Sequence, residues 1–269
     1  MSTRWIDRGD TRIAYHVSGD PKSPALVLGH SLFCDRRMWE GLVPRLSERF
    51  FVINVEARGH GGSSAPSPFT LEDLADDWLA ILDREKVGSA LLCGLSMGGM
   101  TAMRVALVAP HRVRALAILD SSADEELPAW RRYEYRALAE IIRTVGHVDL
   151  IYKIARQKLI GRTTRTERPA VADRVVSWIK QQSPPALYNA VRAVFDRVSI
   201  HARLGSIQCP TLVLCGEEDL ATPPIRSERI AAGIAGATLR LIPRAGHLSA
   251  YETPGAVADE LLPFLLQVP

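Results

Sequence analysis

The chain has 269 residues, 47% of them hydrophobic, enough for a sizeable core in one or two domains. Its net charge of +3 and the lack of a basic stripe with interleaved aromatics argue against nucleic acid or a membrane as partner. No apolar run reaches membrane-span length and MSTRWIDRGD has no apolar leader core, so a soluble, cytoplasmic protein is expected. Cys34, Cys93, Cys209 and Cys215 form no CxxC pair and no Cys/His cluster with ligand spacing. Neither a metal site nor a disulfide framework is expected.

TRWID and TRIAYHV are β-like runs joined through Gly9-Asp10, which predicts a hairpin. ALVLGH (25–30) is a continuous apolar run ending in a turn. RRMWEGLVPRLSE (36–48) has helical spacing of Met38, Leu42 and Leu46. FFVINVE (50–56) is a second apolar run, and RGHGGSSAPSP (58–68) is a loop by composition. Thr70, with Asp73 three residues on, caps a helix carrying Leu74, Trp78, Ile81 and Leu82 on one face. SALLCGL (89–95), a helix over 96–109 and VRALAILD (113–120) form a strand–helix–strand unit. The alternation resumes with PTLVLCGEED, a helix over 224–234, ATLRLIP and a last helix over 253–266. Apolar runs alternating with amphipathic helices predict an α/β fold, its parallel sheet covered on both faces.

The interruption over 124–205 contains no convincing strand. It reads as four helical stretches, near 127–144, 148–160, 168–182 and 185–198, with breaks at Gly146, Gly161 and Pro184-Pro185. It holds fifteen Lys/Arg against nine Asp/Glu, a surplus of six positive charges, whereas the rest of the chain carries a net −3. We therefore divide the chain into a core, 1–123 and 206–269, and an inserted helical cap, 124–205.

LCGLSMGGM (92–100) places Ser96 where a buried strand stops and a helix starts. Such a turn is sharp, and residues two before and two after its apex must be small. Here they are Gly94 and Gly98, with Gly99 adding clearance. A serine hydroxyl is a weak nucleophile and needs a base, itself oriented by an acid. Asp219, in the loop after LVLCG, and His247, in the loop after LRLIP, supply them in the order Ser, Asp, His. Glu217, Glu218 and Asp120 compete for the acid role, and His30 and His60 are read as hydrogen-bonding loop residues. An oxyanion needs two backbone donors. Met97 N–H is one. Leu32, in GHSLF, is chosen for the other, with Phe33 as fallback.

Taken together, LVLGHSL, RGHGGSS, GLSMGG, GEEDLATPP and AGHLSAYETP resemble the α/β-hydrolase superfamily over essentially the whole chain. The resemblance implies a mostly parallel eight-stranded sheet flanked by helices, a helical cap inserted after the sixth strand, and no cofactor. It supports Ser96 as nucleophile, Asp219 as acid and His247 as base. Within the superfamily the chain resembles 3-oxoadipate enol-lactonases and small-ester carboxylesterases. Those lactonases often carry an Asn-Ser-Leu-Gly turn where this chain has His30-Ser31-Leu32-Phe33. They also tend to leucine where Met97 stands, and the family's usual aspartate is here Glu56.

An enol-lactone carries a carboxylate, and Arg131, Arg132 and Arg136 of the cap are candidates to bind it. Trp130, Tyr133, Trp178 and Phe195 are candidates to line an apolar pocket beside Phe33. The leading reading is a serine hydrolase acting on a small-molecule ester or lactone through an acyl-enzyme. The alternatives are C–C bond hydrolysis, acyl transfer or perhydrolysis with the same residues, or a low-turnover ligand-binding receptor.

Overall fold

The computed structural model describes residues 2–126, 130–146 and 149–268. An eight-stranded sheet runs in the order β1-β2-β4-β3-β5-β6-β7-β8. β1 (Ser2–Arg8) and β2 (Thr11–Ser18) form the expected hairpin, and β2 pairs antiparallel with β4 (Phe51–Val55). β3 (Ala25–Gly29), β5 (Ala90–Leu95), β6 (Val113–Leu119), β7 (Thr211–Gly216) and β8 (Thr238–Ile242) join β4 in one parallel array. β3, β4, β5 and β7 are buried at every residue, as continuous apolar runs between two helical layers must be.

One face of the sheet packs Leu28, Trp39, Leu95, Leu119 and Leu214 into one cluster; the other packs Val27, Ile53, Leu92 and Ile118 into a second. α2 (Leu71–Arg84) starts at the expected capping box, with Thr70 and Asp73 bonding each other's backbone N–H groups. α3 (Met97–Val108) follows β5 directly and is buried through its first ten residues.

Two helical expectations are corrected. The helix expected over 36–48 is split into a 3₁₀ turn at Arg36–Trp39 and the single-turn α1 (Val43–Leu46). Pro44 has no N–H to continue the first turn, and Gly41 weakens helix between them. Between β6 and β7, five helices are described where four were expected: α4 (Trp130–Val145), α5 (Asp149–Leu159), α6 (Arg162–Glu167), α7 (Pro169–Gln181) and α8 (Pro184–Phe195). Residues 127–129 and 148, the expected starts of two of them, lie outside the described residues. The additional helix, RTTRTE, has no apolar residue and so no periodicity to reveal it. Pro184-Pro185, read as a break, instead opens α8, where a missing N–H is tolerated. α9 (Pro224–Gly233), α10 (Ser249–Glu252) and α11 (Pro254–Gln267) complete the chain.

Candidate active site

The loops that leave the carboxyl ends of β3, β5, β7 and β8 converge at one edge of the sheet, where open α/β sheets hold ligands. Ser96 lies between β5 and α3 with φ 55° and ψ −112°, a backbone region that L-residues rarely adopt. A Cβ on Gly94 would fall 2.2 Å from the Gly98 carbonyl carbon, and one on Gly98 would fall 2.2 Å from the Gly29 oxygen. Only glycine lets these backbones pass. Three hydrogen bonds fix the turn: Ser96 N–H donates to Leu119 O at 2.9 Å, Ser121 Oγ to Ser96 O at 2.8 Å, and Gly98 N–H to His30 O at 3.1 Å.

Asp219 and His247 meet as expected. Asp219 Oδ2 lies 2.9 Å from His247 Nδ1, and each residue is only 2% exposed. Asp219 Oδ1 accepts the N–H groups of Ala221 and Thr222 at 2.8 and 2.9 Å, an Asx-type turn that aims the carboxylate. Thr222 Oγ1 donates to Asp219 Oδ2 at 2.8 Å and lies 3.2 Å from His247 Nδ1. Thr222 was not singled out from the sequence; its signal is the DLAT spacing that closes this turn. Burial opposes protonation of His247, but Asp219 outweighs it and raises the imidazole pKa above its ordinary value, with Asp120 and Glu252 adding to the effect.

The competing acids have other partners. Glu217 is exposed, and Glu218 accepts the N–H and hydroxyl of Thr163. Asp120 accepts the Gly216 N–H at 2.7 Å and the Ser249 hydroxyl, tying β6 to the two loops of interest. Its complete burial, and then the Asp219 charge, push its carboxyl pKa well upward. His30 donates from Nδ1 to Ser31 O and accepts the Ala57 N–H at Nε2. His60 donates from Nδ1 to Arg58 O and accepts the Phe33 N–H at Nε2, 3.2 Å away. Burial lowers the His60 pKa to about 3, so it stays neutral. Both act as loop ties, as read from the sequence.

His60 thus engages the N–H of Phe33, the fallback oxyanion donor named from the sequence. Met97 leads α3, where an N–H has no intrahelical acceptor. Phe33 has φ 69° in the Ser31–Cys34 turn, closed by Cys34 N–H donating to Ser31 O at 3.1 Å. This is a type II position that favours glycine.

Ser96, His247, Leu32, Phe33 and Thr222 border one cavity of about 120 Å³. Its far wall comes from the inserted helices: Tyr135, Leu138, Ile151, Ile154, Val194 and Phe195. Glu126 and Arg197 also face it, 3.5 Å apart, and Lys158 lies on its border. Arg197 donates from Nε to Asp124 O and from Nη1 to Val194 O, and burial lowers its pKa to about 10. No periodicity or motif marks Glu126 or Arg197 in the sequence. A wider groove of about 340 Å³ between residues 68–72 and 188–198 contains neither Ser96 nor His247.

Several expected substrate contacts lie elsewhere. Trp130 and Tyr133 are 55% and 71% exposed on α4 and do not border the cavity. Trp178 is buried in the core against Tyr251. Arg131 faces Glu126 at 3.8 Å, Arg132 faces Glu125 at 4.0 Å, and Arg136 bonds Asp196 at 2.8 Å. These three arginines are thus met by carboxylates of the insertion itself. Phe33 and Phe195 do border the cavity, as expected.

The sequence model for the alpha/beta hydrolase fold matches residues 24–254. The chain belongs to the α/β-hydrolase family. It is 27% identical over 249 residues to 3-oxoadipate enol-lactonase 2 of Acinetobacter baylyi, covering 92% of this chain and 90% of that one. It is 28% identical over 269 residues to the carboxylesterase YbfK of Bacillus subtilis, covering 98% and 86%. The crystal structure of the enol-lactonase from Burkholderia xenovorans LB400 superposes with a TM-score of 0.91 at 27% identity, covering 98% of this chain and 100% of that one. Among the described residues no helix is long and apolar enough to cross a membrane.

Proposed function

We propose that the protein is a serine hydrolase that cleaves a small carboxylic ester or lactone through an acyl-enzyme. The observation that carries this reading is the buried Asp219–His247 hydrogen bond beside the same cavity as the strained Ser96 turn. The relatives named as an enol-lactonase and a carboxylesterase point the same way. The cavity is of the order of the ~150 Å³ that holds a benzene-sized molecule, which favours a small acyl group.

In this mechanism Ser96 Oγ attacks the carbonyl carbon and His247 Nε2 takes its proton. Asp219 keeps the His247 proton on Nδ1 and stabilises the imidazolium. The Leu32 and Met97 N–H groups bind the oxyanion of the tetrahedral intermediate. Collapse expels the alcohol or enol, which takes the proton from His247. Water then attacks the acyl-enzyme by the same route and frees the acid. Residues 124–205 act as a cap on the core formed by 1–123 and 206–269, and close the cavity.

Ser96→Ala tests the reading. Hydrolysis of p-nitrophenyl acetate is expected to vanish while the thermal melt stays within a few degrees of wild type. Turnover retained in that variant would sink it. Product analysis with and without an added alcohol acceptor separates hydrolysis from acyl transfer.

A further inference from the structure

We propose that Glu252 is a positioning residue for His247, and that through it the seating of the inserted helices sets the placement of the base. The inference rests on His247 being the general base of the mechanism above.

Glu252 ends α10, five positions beyond His247, and is completely buried. Its Oε1 accepts the N–H of Gly246 at 3.0 Å and the N–H of Leu248 at 3.2 Å. These are the two residues that flank His247. Its Oε2 accepts the N–H of Gly161 at 2.9 Å, at the junction of α5 and α6. The Thr164 hydroxyl bonds the same carboxylate. One side chain therefore grips the base loop on both sides of the imidazole and ties it to the insertion.

The surrounding contacts reinforce this grip. Leu248 N–H donates to Leu159 O at 3.2 Å. A Cβ on Gly246 would lie 2.1 Å from the Gly161 nitrogen, so the two backbones touch where both residues are glycine. Arg168 donates to the Glu252 carbonyl at 2.6 Å and to Thr164 Oγ1 at 3.0 Å. The acid loop has a parallel link, since Glu218, next to Asp219, holds the Thr163 N–H at 2.8 Å. Residues 161–163 are thus tied to both loops by one carboxylate each.

A base must be held to within about 0.5 Å to act on its nucleophile. The 246–248 segment is loop: Gly246 N–H donates to Glu252, and Leu248 N–H is shared between Glu252 and Leu159 O at the end of α5. Glu252 supplies the acceptors that a regular element would. It also bears on the charge of the imidazole. The carboxyls that face His247 are Asp219 from the β7 loop, Asp120 from the end of β6, and Glu252 from α10. Arg168, at the α6–α7 junction, faces Glu252 in turn. Burial raises the Glu252 carboxyl pKa, and its hydrogen bonds oppose that rise.

Glu252→Gln keeps the shape but offers one acceptor oxygen where N–H groups converge on two. With p-nitrophenyl acetate, kcat is expected to fall about 10- to 100-fold, as small misplacements of catalytic groups do, with KM within about twofold. The acid midpoint of kcat/KM is expected to move to lower pH, because a charge that favours the imidazolium is gone. Glu252→Asp keeps the charge but withdraws it by one methylene, so kcat falls while the midpoint stays. A Glu252→Gln enzyme with kcat within about twofold of wild type overturns the proposal. So does a loss of kcat with an unmoved midpoint, which a merely structural role produces. Should Glu252→Gln lack a cooperative melt, Thr164→Val carries the test by removing the insertion's hydroxyl from the carboxylate, together with the acceptor it offers Arg168. A fall in kcat of about twofold or more at constant KM supports the proposal, and an unchanged kcat overturns it. Ser96→Ala and His247→Ala run alongside. Turnover in either defeats the mechanism itself, whereas two inactive controls beside a fully active Glu252→Gln defeat only the positioning role.

Discussion

At the carboxyl edge of the sheet, buried carboxyl groups meet fixed backbone donors. Asp219 takes two N–H groups of its own turn, Asp120 takes Gly216 N–H, and Glu252 takes three N–H groups from two loops. On the inserted helices, charge meets charge through long side chains near solvent, as in Arg136–Asp196 and Arg143–Glu140. Exposed pairs of the latter kind are worth about 0.2–1 kcal/mol each. A buried carboxylate left with unpaired donors costs about 1–3 kcal/mol per group. The edge is therefore over-determined and intolerant, while the insertion, α6 apart, is held by its apolar faces and leaves its polar surface free to vary. Substitutions in the two regions should differ in kind as well as in size.

The largest effect is expected at Asp219→Asn. The Oδ1 bonds to Ala221 and Thr222 survive, so the turn and the melt should stay close to wild type. A carboxamide facing His247 Nδ1 favours the wrong tautomer, and kcat should fall by about 10⁴. An enzyme with a tenth of its activity left would mean that Asp120, the nearest buried carboxyl, takes over the acid role. Gly98→Ala comes next. Its Cβ would lie 2.2 Å from Gly29 O, which is backbone and cannot swing aside. A destabilisation of about 3 kcal/mol in urea titration is expected, with kcat down about 100-fold. A melt and kcat equal to wild type would show that the elbow is looser than its geometry implies.

The edge also makes a prediction for pH. In the proposed mechanism His247 must be neutral to act as base, and its pKa is raised by Asp219 despite burial. Activity should therefore rise with pH through a midpoint above the ordinary histidine value of about 6.5. A midpoint below it would show that burial wins. The sign for stability is opposite. A raised histidine pKa stabilises the fold below the unfolded value, and that contribution is lost as pH rises through the folded one.

The turn that bears Phe33 lies where the two regions meet, and its effect should be smaller. Phe33→Gly relieves the cost of about 1–2 kcal/mol that a left-handed conformation imposes on a residue with a Cβ, and also removes a wall of the cavity. Lost packing offsets relieved strain, so the melt should move little. The ratio of kcat/KM for p-nitrophenyl hexanoate to that for the acetate should rise several-fold. An unchanged ratio would mean that Phe33 does not bound the acyl group.

The difference between the regions also explains what the sequence discloses. Ser96, Gly94, Gly98, Asp219 and His247 are legible because a strand-to-helix elbow and two strand-end loops demand particular residues at fixed offsets. The buried runs of β3 to β7 are legible because a sheet covered on both faces tolerates little else. Most of the cavity wall beyond Phe33 and Phe195 is not. Arg197 and Glu126 meet across the two ends of an insertion of some eighty residues, and nothing local marks either of them. α6 is held by Glu218, in the loop after β7, and by Glu252, at the end of α10, rather than by an apolar face of its own. Such features depend on long-range packing, which pattern alone does not carry.

The aromatic residues of α4 give the smallest effect and the sharpest contrast with the edge. Composition alone favours Trp130 and Tyr133 as pocket residues, because aromatic side chains are enriched in ligand sites. In the fold they are 55% and 71% exposed, on a helix whose buried face is carried by Ala139 and Ile142. The pocket instead takes Tyr135 and Leu138, which lie on another face of the same helix. A Trp130→Ser, Tyr133→Ser double variant should keep kcat/KM for p-nitrophenyl acetate within about twofold, and stability within about 0.5 kcal/mol per site, as surface changes do. A tenfold rise in KM at constant kcat would put these side chains in contact with substrate. The inserted helices would then have to rotate on binding, and the separation drawn between a rigid edge and a tolerant insertion would have to include that motion.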